Sequence, residues 1–193
     1  MLSAALWDQG PVEAYLSRWI LAEPAREAWQ LREYFALRRA VFVTEQQMFA
    51  ETDHDEFDAH ALHLVAMATS AGVCDEVVGV VRIYAQPDGV WYGGRLAVTP
   101  RYRRCREVGS ALTHAAVGAA RGLGATRFLA TVQAENVSYF ERHRFRALEP
   151  LSLCGRPHQI MEAPLAAFCV PGWVEARGSA REQNLERSAR SAA

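Results

Sequence analysis

The chain has 193 residues, half of them hydrophobic, with 21 basic and 22 acidic side chains and a formal net charge of −1. This length and composition suit one globular domain and exclude a disordered chain, and near-neutrality argues against a broad nucleic-acid-binding field. Every basic residue is an arginine and none is a lysine, which excludes a lysine Schiff base and a P-loop lysine. Cys74, Cys105, Cys154 and Cys169 show no metal-ligand spacing. With no signal-peptide pattern they read as reduced thiols of a cytoplasmic protein. No apolar run reaches the length that spans a bilayer, so no membrane partner is expected.

In chain order, residues 1–14 carry little pattern and read as an N-terminal extension. Tyr15 to Ala22 reads as a first strand that Pro24 breaks. A helix follows from Ala25, with Leu31, Tyr34, Phe35, Arg38, Val41 and Phe42 on one face. Phe49 to Ala59 is acidic and polar, a loop or short helix. His63 to Thr69 and Glu76 to Ala85 read as two strands joined by a turn at 70–73, and Pro87-Asp-Gly89 is a further turn. Val90 to Val98 completes an antiparallel meander. A helix over 108–123 ends at Gly122 and Gly124. Arg127 to Val132 reads as a buried strand and Asn136 to Arg144 as a short helix. Ala147 to Leu153 and His158 to Glu162 read as final strands split by Gly155-Arg-Pro157. From residue 169 a polar tail is expected, mobile from Pro171. The domain proper is therefore 15–168. The predicted class is α/β (α+β), a mixed, mostly antiparallel sheet of about seven strands flanked by helices.

The most informative stretch is Leu96-Ala-Val-Thr-Pro-Arg-Tyr-Arg-Arg-Cys-Arg-Glu-Val-Gly-Ser-Ala-Leu112. A strand ends at Pro100, an arginine-rich turn follows, and a helix opens near Gly109. Backbone N–H groups at a helix start form an anion site. A residue without Cβ lets a phosphate come close, and Arg103, Arg104 and Arg106 add forked donors. These features point to a small polyphosphate ligand; the structural alternative is an exposed arginine loop capping a helix.

The run Glu51 to His60, with His63 beyond, holds five carboxylates and three histidines within thirteen residues. Three readings stand: a solvated acidic loop, a surface that attracts a cationic amine, and a metal site. The spacing favours the first and no metal is expected.

Four segments together resemble the GNAT superfamily of acetyl-CoA-dependent N-acyltransferases. They are Arg39-Ala-Val-Phe-Val-Thr-Glu-Gln46, Gly94-Arg-Leu-Ala-Val-Thr-Pro100, the R-x-x-G-x-A loop Arg106-Glu-Val-Gly-Ser-Ala111, and Thr131-Val-Gln-Ala-Glu-Asn-Val137 with Tyr139-Phe-Glu-Arg-His-Arg-Phe145. The likeness covers roughly residues 15–165. The combination V-F-V-x-E-Q, T-V-Q-A-x-N-V and G-R-P-H resembles, more narrowly, a bacterial branch linked with nitrogen starvation.

The resemblance implies acetyl-CoA as cosubstrate and a small, cationic amine as acceptor, attacked directly in a ternary complex. It implies that Leu96, Ala97 and Val98 offer backbone groups to the pantetheine arm and the thioester. Backbone N–H groups from Arg104 through Val108, Gly109, Ser110 and Ala111 would hold the pyrophosphate, an arginine of the turn would meet the 3′-phosphate, and Asn136 would touch the arm. Family members commonly dimerise, which extends to this chain as an expected homodimer.

The family's usual acid is a tyrosine whose matching position here is Phe140. Tyr139 lies one place earlier, about 100° around the helix. Either Tyr139 is recruited, or solvent protonates the leaving thiolate, or catalysis is poor. Glu45 is the first candidate base, with a structural carboxylate paired to Arg39 or Arg82 as the alternative. His158 is the second, with a histidine bonded to a strand neighbour as its alternative. Gln133 and Arg95 would orient the acceptor, or serve as polar residues of a sheet face. Competing functions are an acyl-homoserine-lactone-synthase-like acyltransferase and a non-catalytic coenzyme-A-binding sensor or partner domain.

Overall fold

The computed structural model of the chain describes residues 19–70 and 73–174. A seven-stranded sheet runs in the order β1-β2-β3-β4-β5-β7-β6. Its strands are β1 (Ile20–Pro24), β2 (Leu62–Ser70), β3 (Val73–Ala85), β4 (Val90–Val98), β5 (Arg127–Gln133), β6 (Arg146–Leu153) and β7 (Arg156–Ala163). The helices are α1 (Ala28–Arg38), α2 (Arg106–Gly122) and α3 (Val137–Arg142). All neighbouring strands are antiparallel except β4 and β5. The mixed α/β class and the order strand, helix, three strands, helix, strand, helix, two strands are as the sequence predicts.

Two cores lie on opposite faces of the sheet. Tyr34, Leu37, Val41 and Phe42 pack against Val65, Met67, Val80 and Ala97 on the α1 face. On the other, α2 lays Val108, Leu112, Ala115, Ala116 and Ala119 over Leu64, Val78, Val81, Phe128 and Val132. The small residues of α2 let it approach closely. At Gly79 an added Cβ would stand 2.8 Å from Val108 Cγ1 and 2.9 Å from Leu112 Cδ1.

The boundaries shift for local reasons. The first strand is Ile20–Pro24, and Pro24 is its last residue, paired with Leu64, since an edge strand tolerates proline; residues 15–18 lie outside the described residues, as do 1–14. The first helix begins three residues later than expected. There Gln30 Oε1 reaches back to accept from the N–H groups of Arg26 (2.8 Å) and Glu27 (3.0 Å), part of a capping box. It continues as a π-helical turn, Arg39–Glu45, which sequence periodicity did not show. The β6–β7 reversal is made by Cys154 and Gly155, at φ 50° and 70°, so Arg156 and Pro157 belong to β7, since two left-handed residues suffice for a tight hairpin. Residues 169–174 pack on α2 rather than opening a mobile tail at Pro171: Val174 is buried, and Gly122 faces Val170 and Val174. Residues 175–193 lie outside the described residues. Among the described residues no helix is long and apolar enough to cross a membrane.

Candidate active site

β4 and β5 pair only from Val90↔Arg127 to Gly93↔Ala130. Beyond that the strands separate. On its other side β4 stays bonded to β3 with one irregularity: Val80 faces Ala97 and Arg82 faces Gly94. A single β3 residue thus opposes two on β4, Arg95 and Leu96, and Arg95 takes φ 54°. Such a bulge bends a strand and re-aims its backbone groups. The result is a fork whose inner edges have no strand partner. Thr99 N–H donates to Val78 O at 2.9 Å, so by strand alternation Val98 turns its own N–H and C=O toward the fork.

A cleft of about 1070 Å³ runs through the fork. It gathers Leu96, Ala97, Val98, Arg103, Arg106, Gly109, Ser110 and Asn136 with Glu45, Arg95, Gln133, Tyr139 and His158. The side chains of Arg104, Val108 and Ala111 stand outside its lining, and Val108 is wholly buried in the α2 core. Any part these three take is through backbone N–H groups. α2 starts at Cys105 without a capping side chain, which leaves its first turn open to an anion. An open strand edge leading to an uncapped helix start with Arg106 and Ser110 facing it fits an extended thioester arm ending in a pyrophosphate.

Glu45 and Arg103 meet across this cleft. Arg103 Nη1 and Nη2 donate to Glu45 Oε1 (2.6 Å) and Oε2 (2.5 Å), while its Nε donates to Val98 O (3.0 Å). The carboxylate therefore pairs with neither Arg39 nor Arg82. The bond from Arg103 holds the exposed Glu45 carboxyl below its ordinary range, which weakens it as a base.

His158 is 4% exposed and lies opposite Gln133 on adjacent strands. Its Nδ1 is 2.9 Å from the carbonyl of Arg156. A carbonyl only accepts, so Nδ1 donates to it, and in the neutral imidazole the lone pair is then on Nε2. Gln133 Nε2 donates to Gln46 Oε1 at 3.0 Å.

Phe140 packs against Phe145 in the core, whereas Tyr139 turns to the first turns of α2. Its hydroxyl lies 3.2 Å from Thr113 Oγ1, which itself donates to Gly109 O at 2.9 Å. With the threonine proton so used, the phenol donates. Burial raises the Tyr139 pKa, keeping that proton in place at neutral pH.

The acidic run is not a solvated loop. Asp53, Asp55 and Asp58 close a ring with three arginines from α1, β3 and β4. Arg38 binds Asp53 (2.7 Å) and Asp58 (2.5 Å), Arg82 binds Asp58 (3.0 Å) and Asp55 (2.5 Å), and Arg95 binds Asp55 (3.2 Å) and Asp53 (3.1 Å). Arg38 and Asp53 are 0% and 1% exposed. The ring balances three positive against three negative charges, so it projects little field, and it ties the 46–60 loop to the bulge at Arg95. Among the described residues no group of three or more acidic, histidine or cysteine side chains is placed to hold a metal ion.

Sequence reasoning missed Thr113 and the aromatic side chains Phe49, Phe57, Tyr84 and Tyr92, all of which line the cleft. Tyr84 and Tyr92 had a usable signal, standing two places from Arg82 and Gly94 on one face of adjacent strands.

The Acetyltransferase (GNAT) family model matches residues 18–145. An uncharacterized N-acetyltransferase of Bacillus subtilis, YjcF, is 29% identical over 136 residues, 69% of this chain and 92% of the relative. The crystal structure of a putative N-acetyltransferase from Lactobacillus plantarum superposes with a TM-score of 0.66 at 24% identity, covering 75% of this chain and 97% of that one. A coenzyme-A-dependent acyl-homoserine lactone synthase, BjaI, shares the fold at a TM-score of 0.55 and 16% identity, covering 82% and 88%. The forked sheet and the family match agree, and the chain belongs to the GNAT family of acetyltransferases.

Proposed function

We propose that the chain moves an acetyl group from acetyl-CoA to the amine of a small acceptor, by direct attack with both bound. The carrying observation is the fork, whose open β4 edge leads to the uncapped start of α2. The backbone of Leu96, Ala97 and Val98 would hold the arm, and α2's first N–H groups with Arg106 and Ser110 the pyrophosphate. Arg103, once released from Glu45, and the Arg104 N–H would supply further phosphate donors, and Asn136 would border the arm. Acetyl-CoA supplies the activated acyl group. A bacterial, cytoplasmic setting in nitrogen metabolism is what the narrower sequence likeness supports.

The chain's own chemistry begins with the acceptor's proton. An alkyl amine of pKa near 10 is only about one part in a thousand neutral at pH 7, a cost of about 4 kcal/mol. The free Nε2 of His158 favours it as base over Glu45, whose two oxygens are held by Arg103. Gln133 and Arg95 border the acceptor side. The Val98 N–H, which turns into the fork, would meet the negative charge that develops on the carbonyl oxygen. Tyr139 then returns a proton to the departing thiolate.

A second reading, a longer acyl group, is favoured by one observation: the cleft reaches the apolar side chains of Val117, Val132 and Phe145 on the α2 side.

A thermal-shift titration with acetyl-CoA, hexanoyl-CoA and ATP, beside Gly109→Glu, tests the donor site. A ligand at a hundredfold over Kd stabilises by about 2.7 kcal/mol. Stabilisation of the wild type by acetyl-CoA but not ATP, lost in Gly109→Glu, is expected. Release of free coenzyme A with an amine then separates an enzyme from a binding domain. No response to any coenzyme A species overturns the reading.

A further inference from the structure

We infer that the acceptor is a monoamine carrying an aromatic body, held by aromatic contacts over Gly94 rather than by ion pairing. This rests on the acetyltransferase reading above and assigns the acceptor's class.

On the α1 face of the sheet the floor beside the fork is Gly94, and an added Cβ there would meet nothing within 4 Å. Gly94 faces the cleft, so the emptiness is room for a ligand. A column of rings forms one wall. Phe57 stacks on Tyr84 (4.5 Å between centroids, 15° between planes) and Tyr84 stacks on Tyr92 (5.8 Å, 15°). All three are half-buried. Phe49 lines the same cleft from the 46–50 turn, with the Arg95 guanidinium 4.7 Å from its ring centre. The faces of Phe57, Tyr84 and Tyr92 are shared with one another, so these half-buried rings offer edges to the cleft around an open floor, which suits a flat apolar group packed edge to face.

The charges point the same way. A carboxylate offers about four lone-pair sites, and those of Asp55 are taken. Oδ1 accepts from Arg82 and the Phe57 N–H, and Oδ2 from Arg82 and Arg95. Both oxygens of Glu45 are held by Arg103. A polyamine or aminoglycoside would bring several ammonium groups to a cleft in which Asp55 and Glu45 are already paired, leaving Glu135, just beyond β5, as the third acid in its lining. A monoamine brings one, which reaction neutralises.

The test is release of coenzyme A by the full chain with acetyl-CoA and a matched panel: 2-phenylethylamine and tryptamine against butylamine, spermidine and kanamycin. An aryl monoamine is expected to exceed butylamine and both polycations in kcat/KM by at least tenfold. Gly94→Val adds a side chain without requiring a left-handed backbone. It is expected to cost the aryl amine tenfold or more, mainly through KM, while the midpoint shift with acetyl-CoA persists. Tyr92→Ala is expected to act in the same direction. Preference for an alkyl amine or a polycation, or indifference to Gly94→Val, overturns this inference alone, whereas no turnover of any amine despite stabilisation by acetyl-CoA overturns the enzyme reading beneath it. Failure of acetyl-CoA to stabilise the chain overturns the underlying reading instead.

Discussion

The hydroxyl of Tyr139 sits over the bare Cα of Gly109, 2.8 Å from where a Cβ on that glycine would stand. The glycine of the phosphate loop thus makes room for a tyrosine from α3 as well as for an anion, and the phenol reaches the cleft from a position one residue off the family's usual one. Two substitutions separate these uses. Alanine at a helical glycine ordinarily gains up to about 1 kcal/mol, but here the clash with the hydroxyl costs about 1–3 kcal/mol. Gly109→Ala is therefore expected to be neutral to destabilising in the wild type and stabilising beside Tyr139→Phe, where the nearest ring carbon lies at 3.4 Å. Urea unfolding of the four proteins in this cycle measures the difference. Tyr139→Phe alone is expected to lower kcat about a hundredfold if the phenol is the acid.

Glu45 and Arg103 test each other in the same way. In the proposed complex Glu45 borders the acceptor and Arg103 the phosphates, yet in the free protein each holds the other. Glu45→Gln is expected to release Arg103, tighten coenzyme A several-fold at low salt, and lose that gain as ionic strength rises. Turnover is expected to persist. A kcat drop of a hundredfold or more, with unchanged affinity, would instead mark Glu45 as the base.

His158 gives the complementary result. His158→Gln keeps a polar group at the buried position but removes the Nε2 lone pair. A loss of 10²–10⁴-fold in kcat is the size general-base catalysis supports, with the coenzyme A thermal shift intact. Activity within tenfold of wild type would remove His158 from the mechanism.

These assignments differ in how far the sequence alone carries them. β4 is legible to the residue because Pro87-Asp-Gly89 and Thr99-Pro100 punctuate both ends, and α2 to within two residues, Arg106–Gly122 against 108–123, because its apolar stripe is regular. The fork is not, since the bulge at Arg95 depends on pairing between β3 and β4. The arginine–aspartate ring is hidden for the same reason. Its partners lie 15 to 42 residues apart, so the acids show as a charge run while the arginines scatter over three elements. Tyr139 is half legible: its offset around the helix is arithmetic, but its target on α2 is tertiary.

The ring also makes stability depend on acid. Burial pushes the Asp58 carboxyl up, but bonds from Arg38, the Asp55 N–H and Arg82 outweigh it and hold the group well below its ordinary value. Asp55 is lowered against its own burial by Arg82 and Arg95. Both folded values lie beneath the unfolded aspartate value of about 3.9. As pH falls, the unfolded chain takes up protons first and is favoured. The contribution is whole above about pH 5 and shrinks from about pH 4 downward. Asp58→Asn is expected to be less stable than wild type at pH 6 but to lose stability less steeply below pH 4. Asp53→Ala, which leaves Arg38 and Arg95 short of a buried partner, is expected to cost about 3–5 kcal/mol at pH 7. Urea midpoints from pH 6 to 2.5 give both numbers. Parallel acid slopes for wild type and Asp58→Asn would mean that the Asp58 carboxyl titrates alike in the folded and unfolded chains.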